Sequence, residues 1–250
     1  MNYGLYLSAA ALRVQEYRQE VIANNLANVN TTAFKSDQTV IRSRRSAVQE
    51  QAFPADLYVP IVDDVGGGLR SGGTYTDFSQ GSLVRTGRDL DIALKGEGFL
   101  SVAGDGRTEY TRDGRLDRDV EGNLVTVADG CKVLDESGKP IHLGDGRVTI
   151  EGNGTVRVNG EVQAHLALVR FADPTVLQKV GANDYVADGA KTQPSDAQVV
   201  SGHVESSGVD PTRALVDMMT GQRVYEAAAR MLQSADTMTG HAVNDIARLV

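Results

Sequence analysis

Closely spaced carboxylates are the residues of this chain best suited to chemistry. Asp117, Asp119 and Glu121 stand before Gly122 and resemble the start of a calcium-binding loop. Such a loop needs a bidentate Glu at its twelfth position, where this chain has Ala128. The same residues are typical of a hairpin turn, so we predict turn chemistry and no calcium site.

Other groups capable of catalysis or ligation are scattered along the chain. Asp89 and Asp91 would lie on one face of a strand with no base nearby in sequence, so we predict a solvated strand edge. Neither a Gly-x-Ser-x-Gly nor a Gly-x-Gly-x-x-Gly motif is present. The histidines lack metal-ligand spacing: His142, His165, His203 and His241. The sequence therefore predicts no catalytic, cofactor-binding or metal residue, and a protein that is not an enzyme.

The chain has a single cysteine, Cys131, which excludes an intramolecular disulfide and a Cys-based metal cluster. It follows a predicted turn and enters a predicted strand. No flanking His or helix start would lower its pKa, so we predict a small buried hydrophobic residue.

Composition excludes several kinds of partner. The 250 residues are 41% hydrophobic and 23% charged, as in a soluble globular protein with a real core. A net charge of −8 argues against nucleic acid, and 5% aromatic residues without Trp argue against stacking platforms. No apolar run is long enough for direct membrane insertion. The N-terminal stretch lacks the basic region and cleavage site of a signal peptide, so export would need another route.

Glycine placement divides the chain into two kinds of structure. Of the 27 glycines, all but Gly4, Gly221 and Gly240 lie between Gly66 and Gly208, so we expect helical ends and a β-rich middle. The predicted fold class is α+β, with a central antiparallel β domain. The predicted domains are a discontinuous helical inner domain, an extended connector and a β domain: 1–34 with 208–250, 35–80, and 81–207. Asp113-Gly114 and Asn159-Gly160 are typical hairpin turns. Because such hairpins are local, we expect the β domain from about 81 to 200 to fold alone.

The two ends of the chain predict long helices, Leu5–Asn28 and Pro211–Arg248. Their apolar residues alternate between spacings of three and four, which is the seam pattern of a coiled coil. One such row of the C-terminal helix is Val224, Ala228, Met231, Ala235, Met238, Ala242 and Leu249. Asp210 suits the N-cap and Pro211 the first helical position. We expect the helices to pair antiparallel as a coiled-coil inner domain. The residues expected to face inward are Leu12, Ile22, Leu26, Tyr225 and Leu232.

Three amides interrupt the apolar rows of these helices: Asn25, Asn28 and Gln222. Either they face solvent at the edge of the seam, or they fix its register and choice of partner, because a buried amide must find a hydrogen-bond partner. The candidate assembly interface comprises residues of both helices: Leu5, Leu12, Ile22, Asn25, Leu26, Asn28, Leu215, Met218, Gln222, Tyr225, Met231 and Leu232.

Three stretches of the chain resemble flagellar basal-body rod and hook proteins. Residues 21–35, VIANNLANVNTTAFK, resemble the N-terminal signature of that family. The central match is 89–99 followed by 110–114, and the C-terminal match is 204–211 followed by 222–227. The three matches stand in the family's order and cover both ends and the centre of the chain.

The chain departs from the family pattern at two positions. The family usually has Gly where this chain has Ala33, so either the backbone there avoids the left-handed region or Ala33 bears strain. The family usually has Asn where Gly208 stands.

The resemblance implies a self-assembling structural subunit that transmits torque. Its partners would be other copies of itself, neighbouring rod or hook proteins, and the flagellar type III export apparatus. Its location would be the periplasm-spanning rod. The compact length and short connector favour the proximal rod, then the distal rod, then the hook. Alternatives from other classes are a β-domain binding module on a helical stalk and a hydrolase within the β domain, although no catalytic constellation supports the latter.

Overall fold

The computed structural model of the chain describes residues 3–43, 68–104, 106–181 and 183–247. For residues 3, 5, 6 and 242–247 it describes the backbone only. A helix at each end and a β-rich middle confirm the predicted α+β class. The elements are α1 (Tyr3–Ala27), β1 (Asp37–Ser43), β2 (Leu69–Thr76), β3 (Leu83–Arg85), β4 (Ile92–Lys95), β5 (Phe99–Ala103), β6 (Thr108–Thr111), β7 (Leu116–Arg118), β8 (Leu124–Thr126), β9 (Lys132–Val133), β10 (Val148–Ile150), β11 (Thr155–Val158), β12 (Glu161–His165), β13 (Leu168–Phe171), a 3-10 turn (Pro174–Val176), β14 (Leu177–Gly181), β15 (Asp184–Ala187), β16 (Thr192–Pro194), β17 (Gln198–Ser201), β18 (His203–Glu205) and α2 (Pro211–Ala247).

The described residues divide into two compact units. The helical unit contains 3–27, 37–43, 68–75 and 210–247, and the β unit contains 28–36 and 76–209. The sequence assigns 28–34 to the helical domain and 35–80 to a connector. In the structure 28–36 belongs to the β unit, and the connector's described parts form β1 and β2, which pair with each other. The remainder of the predicted connector, 44–67, lies outside the described residues.

Local sequence signals account for the bounds of both helices. The Asp210 carboxylate accepts hydrogen bonds from the backbone N–H groups of Thr212 (2.9 Å) and Arg213 (3.1 Å), which confirms the predicted N-cap of α2. Helix α1 ends at Ala27, one residue before the predicted end. Beyond it Thr31 donates its hydroxyl to the Asn28 side chain (3.1 Å), so polar side chains form a turn instead of another helical turn.

The two helices contact each other along one row of α2. Members of this row are small or half-buried and recur at spacings of three, four or seven: Ala214, Met218, Gly221, Ala228, Leu232, Ala235 and Thr239. Gly221 is buried, and a Cβ built there would lie 3.7 Å from Cγ of Gln19. The helices therefore pack through this row, while coiled-coil geometry and antiparallel direction stay predictions.

Antiparallel pairing organises the β unit. Within the described residues the largest sheet has nine strands, in the order β14-β15-β6-β5-β9-β8-β7, with β13 pairing β5 and β16. Strands β10, β11 and β12 form a separate sheet, and β17–β4 and β18–β3 form two further pairs. The main core is aliphatic and includes Ile92, Leu100, Val102 and Leu124. A smaller aromatic core gathers Phe99, Phe171 and Tyr185.

Glycines act in two ways in the β unit. Asn159 and Gly160 both have left-handed φ (52° and 88°) between the paired strands β11 and β12, which confirms the predicted hairpin turn. The hairpin predicted at Asp113-Gly114 is wrong, because the flanking strands β6 and β7 do not pair with each other. There a Cβ on Gly114 would lie 1.7 Å from the Ile92 carbonyl oxygen, so the close approach of two backbones requires glycine.

Among the described residues, no helix combines the length and hydrophobicity that a membrane crossing requires.

Candidate functional site

A buried ion cluster joins all three stretches that resemble the rod family. The Lys35 ammonium lies 2.6 Å from Oε1 of Glu205, and Nε of Arg112 lies 2.9 Å from Oε2. The exposed fraction of the side chain is 1% for Lys35, 0% for Glu205 and 4% for Arg112. Lys35, Arg112 and Glu205, here called the junction triad, come from the N-terminal, central and C-terminal stretches in turn. Sequence reasoning included these residues in its stretches but assigned none of them a role.

Backbone groups of the β unit complete the hydrogen bonding of the junction triad. Lys35 also donates to the Ser79 carbonyl (2.7 Å), and Arg112 donates to the Gly96 carbonyl (2.8 Å). Glu205 Oε1 accepts from the Gly81 N–H as well (2.7 Å). Burial lowers the pKa of Lys35 from 10.5, although the Glu205 carboxylate opposes this shift. The triad therefore holds one anion between two cations, each with further partners.

The loop that carries Lys35 has a strained backbone. Ala33 is 1% exposed with a φ of 56°, in the left-handed region that disfavours residues with a Cβ by about 1–2 kcal/mol. Its N–H donates to the Glu205 carbonyl (2.8 Å). Of the two alternatives from sequence, Ala33 therefore bears strain where the family usually has Gly. Gly208 is different, because its φ is not left-handed and a Cβ would make an ordinary 3.5 Å contact with the Phe34 oxygen.

The asparagines predicted at the helical seam have partners within the chain. Asn25 donates to the Asp37 carbonyl (2.7 Å) and accepts from the Asp37 N–H (2.9 Å), so it attaches the first residue of β1 to α1. Asn28 accepts from Thr31 as described above. Gln222 is exposed on α2. In the single chain Asn25 thus attaches a neighbouring strand to α1, and its role in a seam stays a prediction.

The candidate interface residues separate into two groups. Seven are half-buried: Leu12, Ile22, Asn25, Leu26, Asn28, Met218 and Leu232. Four are exposed: Leu215, Gln222, Tyr225 and Met231. The Leu5 side chain lies outside the described residues. Tyr225 was expected to face inward beside Leu232, but it is 39% exposed.

A row of large apolar side chains lies on the solvent side of α2. Val224, Met231 and Met238, here called the outer row, are 44%, 67% and 69% exposed and follow one another at intervals of seven residues. Seven residues are nearly two helical turns, so the three side chains lie along one line of the helix. The sequence predicts this row together with Ala228 and Ala235, but Ala228 is buried and Ala235 half-buried.

The carboxylates singled out from sequence fall into distinct environments. Asp119 accepts hydrogen bonds from the N–H groups of Glu121 (2.9 Å) and Asn123 (2.7 Å), which confirms turn chemistry. The predicted solvated edge at Asp89 and Asp91 is wrong for Asp91, which is 2% exposed. Residues 89 and 90 form a turn, so strand alternation does not apply to the pair.

The Cys131 thiol is half-buried and packs partly against the aliphatic core. It is not simply a small hydrophobic residue, because acidic groups surround it. Burial, followed by a hydrogen bond with Asp129, raises its pKa to about 12. The thiol is therefore protonated and unreactive as a nucleophile at neutral pH.

Comparisons with known proteins agree with this architecture. Three family models match in order: "Flagella basal body rod protein" at residues 5–35, "Flagellar hook protein FlgE/F/G D1 domain" at 93–163, and "Flagellar basal body rod FlgEFG protein C-terminal" at 200–245. A helical unit drawn from both chain ends, together with a β unit that matches the D1 model, defines the rod and hook class of flagellar structural proteins.

Full-length relatives identify the family within that class. The flagellar basal-body rod protein FlgF of Caulobacter vibrioides is 33% identical and covers 100% of both chains. FlgG of Agrobacterium fabrum is 32% identical over 94% of this chain and 95% of its own, and FlgG of Bacillus subtilis is 30% identical over 98% and 99%. The chain belongs to the flagellar basal-body rod protein family. It is a structural component of the basal body that assembles with other flagellar rod and hook proteins, and it is not an enzyme.

Proposed function

We propose that this chain is a self-assembling subunit of the basal-body rod, that it joins its neighbours through the helical unit, and that the assembled rod transmits torque. The observation that carries this proposal is the outer row of α2. Val224, Met231 and Met238 expose apolar side chains in one line, and contiguous exposed apolar surface is typical of an interaction site.

The spacing of the outer row favours a helical partner. A row repeated every seven residues follows the 3.5-residue period of coiled-coil packing. Because the row that contains Gly221 and Ala228 already packs against α1, α2 offers one apolar row to its own chain and a second to a neighbour. We infer that the neighbour is a helix of another copy or of an adjacent rod or hook protein.

Location and export follow from the same proposal. We infer that the subunit leaves the cytoplasm through the flagellar type III apparatus without a cleaved signal peptide and enters the periplasm-spanning rod. Within the rod we favour the proximal part, on the compact length of 250 residues, with the distal rod as the alternative. Cryo-electron microscopy of purified basal bodies distinguishes these positions directly.

Genetic complementation with the full-length chain tests the role of the outer row. The triple variant Val224→Gln, Met231→Gln, Met238→Gln removes the apolar line and keeps good helix formers. We expect a strain that lacks the native protein to recover neither rods nor swimming with this variant, although the purified variant keeps the circular dichroism spectrum of the wild type.

A matched control changes exposed valines of the β unit. Val120, Val162 and Val180 are 105%, 50% and 42% exposed, so the variant with Thr at all three positions removes comparable apolar surface. We expect it to assemble rods normally. Normal rods from the outer-row variant, or a defect of equal size in the control, would show that assembly does not depend on the outer row.

A further inference from the structure

The main sheet of the β unit brings together three metal-ligand side chains that are far apart in sequence. Glu109 lies on β6, Asp184 on β15, and Cys131 immediately before β9. Their ligand atoms, one from each side chain, lie within 4.8 Å of one another. Because 22 and 53 positions separate successive members of this cluster in the sequence, no spacing motif indicates it, and the sequence predicts no metal residue.

Strand register explains why these side chains meet. Asp184 is opposite Thr111 in the β15–β6 pair, and Glu109 is two residues before Thr111, so Glu109 and Asp184 extend from the same face of the sheet. The Glu109 carboxylate lies over Gly104, where a Cβ would come within 2.2 Å of its Cδ. Position 104 therefore requires glycine, because a side chain there would occupy the space of the Glu109 carboxylate.

Asp184 contributes a buried carboxylate to this cluster. The residue is 2% exposed, and its Oδ2 has no hydrogen-bond partner among the described residues. A buried carboxylate oxygen without a donor is unfavourable, and proteins usually satisfy it with a hydrogen bond or a cation. Asp184 is also paired with the Asp129 carboxyl, and two carboxyls share a hydrogen bond only when one of them holds a proton.

The remaining neighbours leave the cluster rich in carboxyl groups. Asp129 accepts hydrogen bonds from the Thr126 hydroxyl and from the Cys131 N–H (3.4 Å). Among the described residues, a cation beside one of the ligands is Arg107, whose half-exposed guanidinium lies 3.1 Å from Oε1 of Glu109. That contact is made through Oε1 of Glu109.

We propose that Glu109, Cys131 and Asp184 bind a divalent transition-metal ion, with zinc as the physiological candidate. A thiolate selects zinc-type ions over magnesium or calcium, and carboxylates complete zinc sites in proteins. The ion replaces the protons of the cluster, so binding releases protons. Tetrahedral zinc separates its ligands by about 3.5 Å, so the side chains would adjust to that spacing when it binds. The bound ion links β6, β15 and the turn before β9.

Zinc titration of the chelator-treated full chain tests this site. By isothermal titration calorimetry we expect one equivalent of zinc, with proton release that depends on the buffer. Asp184→Asn and Cys131→Ser should each weaken this binding by at least about 10-fold, since even outer-shell substitutions weaken metal sites to that extent. Cobalt should bind to the wild type with a thiolate-to-metal charge-transfer absorption that Cys131→Ser removes.

A control variant and a folding check separate this site from adventitious binding. The double variant His142→Ala, His165→Ala removes two exposed imidazoles and should bind zinc like the wild type. Thermal melts without metal show whether each variant is folded. If Asp184→Asn is unstable, Cys131→Ser tests the site instead, because position 131 is half-exposed. Loss of binding in the histidine variant, unchanged binding in Asp184→Asn and Cys131→Ser, or no binding at all would overturn the proposal. In the last case a shared proton alone holds Asp129 and Asp184 together.

Discussion

At the scale of single residues, the junction triad depends most on Glu205, because one carboxylate serves both cations. Glu205→Gln keeps the shape of the side chain and leaves Lys35 and Arg112 without their anion. Breaking a buried ion pair in this way typically costs about 3–5 kcal/mol, so we expect a loss of that size in the free energy of unfolding. Chemical denaturation of the full chain measures it.

The matched control for Glu205 is Glu151, which pairs with Arg157 at 2.6 Å while half-exposed. Solvent screens such a pair, so Glu151→Gln should change the free energy of unfolding by about 1 kcal/mol or less. Equal losses in the two variants would mean that the triad contributes no more than a surface pair.

Lys35 gives the triad a dependence on pH. Burial lowers its pKa in the folded chain below the usual 10.5, so between the lowered value and 10.5 the unfolded chain binds more protons than the folded chain. The contribution of Lys35 to the free energy of unfolding therefore rises with pH across that window and falls as pH decreases through the folded pKa.

The variant Lys35→Met has no ionisable group at this position and should lack this rise. We expect the free energy of unfolding of the wild type to increase relative to Lys35→Met as pH approaches 10.5, measured by urea denaturation at a series of pH values. Parallel curves for the two proteins would mean that the pKa of Lys35 is not lowered.

At the scale of elements, Gly221 is the point where α2 can be improved. Glycine inside a helix is less favourable than alanine by about 0.5–1 kcal/mol, and a Cβ at this position would make an ordinary 3.7 Å contact with Gln19. We expect Gly221→Ala to raise the melting temperature of the isolated chain by a few degrees.

Gly114→Ala is the contrasting substitution, because its Cβ would lie 1.7 Å from the Ile92 oxygen. We expect it to lower the melting temperature strongly or to prevent folding. Destabilisation by Gly221→Ala would contradict the prediction. It would mean that α1 and α2 lie too close together at Gly221 to accommodate a Cβ.

Elements governed by neighbouring residues could be predicted from the sequence. The N-cap at Asp210, the end of α1 and the Asn159-Gly160 hairpin each depend on hydrogen bonds or φ angles within a few residues. Prediction failed where tertiary contacts decide. Asp91 is buried where it pairs with Arg115 and accepts a hydrogen bond from the Gly202 N–H (2.7 Å). Gly114 is required by a backbone that belongs to another strand.

At the scale of the whole molecule, the limits of the β unit determine which fragment folds. A fragment of 81–200 lacks β18 and Glu205, so β3 loses its strand partner and Arg112 its carboxylate. A fragment of 76–209 keeps both. We therefore replace the boundary of 81–200 expected from the sequence. We expect 76–209 to unfold cooperatively in a thermal melt followed by circular dichroism, and 81–200 to show no cooperative transition.

Long-range pairing is also why the sequence alone did not predict the central site. Lys35 and Glu205 are 170 positions apart, and Arg112 and Glu205 are 93 apart. Each residue could be assigned to a family-like stretch, but only the fold shows that the stretches meet. The outer row was predictable because its seven-residue spacing lies within one helix, whereas exposure of Tyr225 and burial of Ala228 depend on where α1 packs.

Assembly through the outer row is the central claim, and hydrogen exchange of α2 in two states tests it most directly. In the isolated chain, we expect amides of the outer-row segment 224–238 to exchange measurably, because three large apolar side chains there face solvent. In purified rods, the same peptides should exchange at least about 10-fold more slowly once a neighbouring helix covers them, while peptides of β5 in the buried core should change little. Equal exchange of the 224–238 peptides in the two states would contradict assembly through this surface.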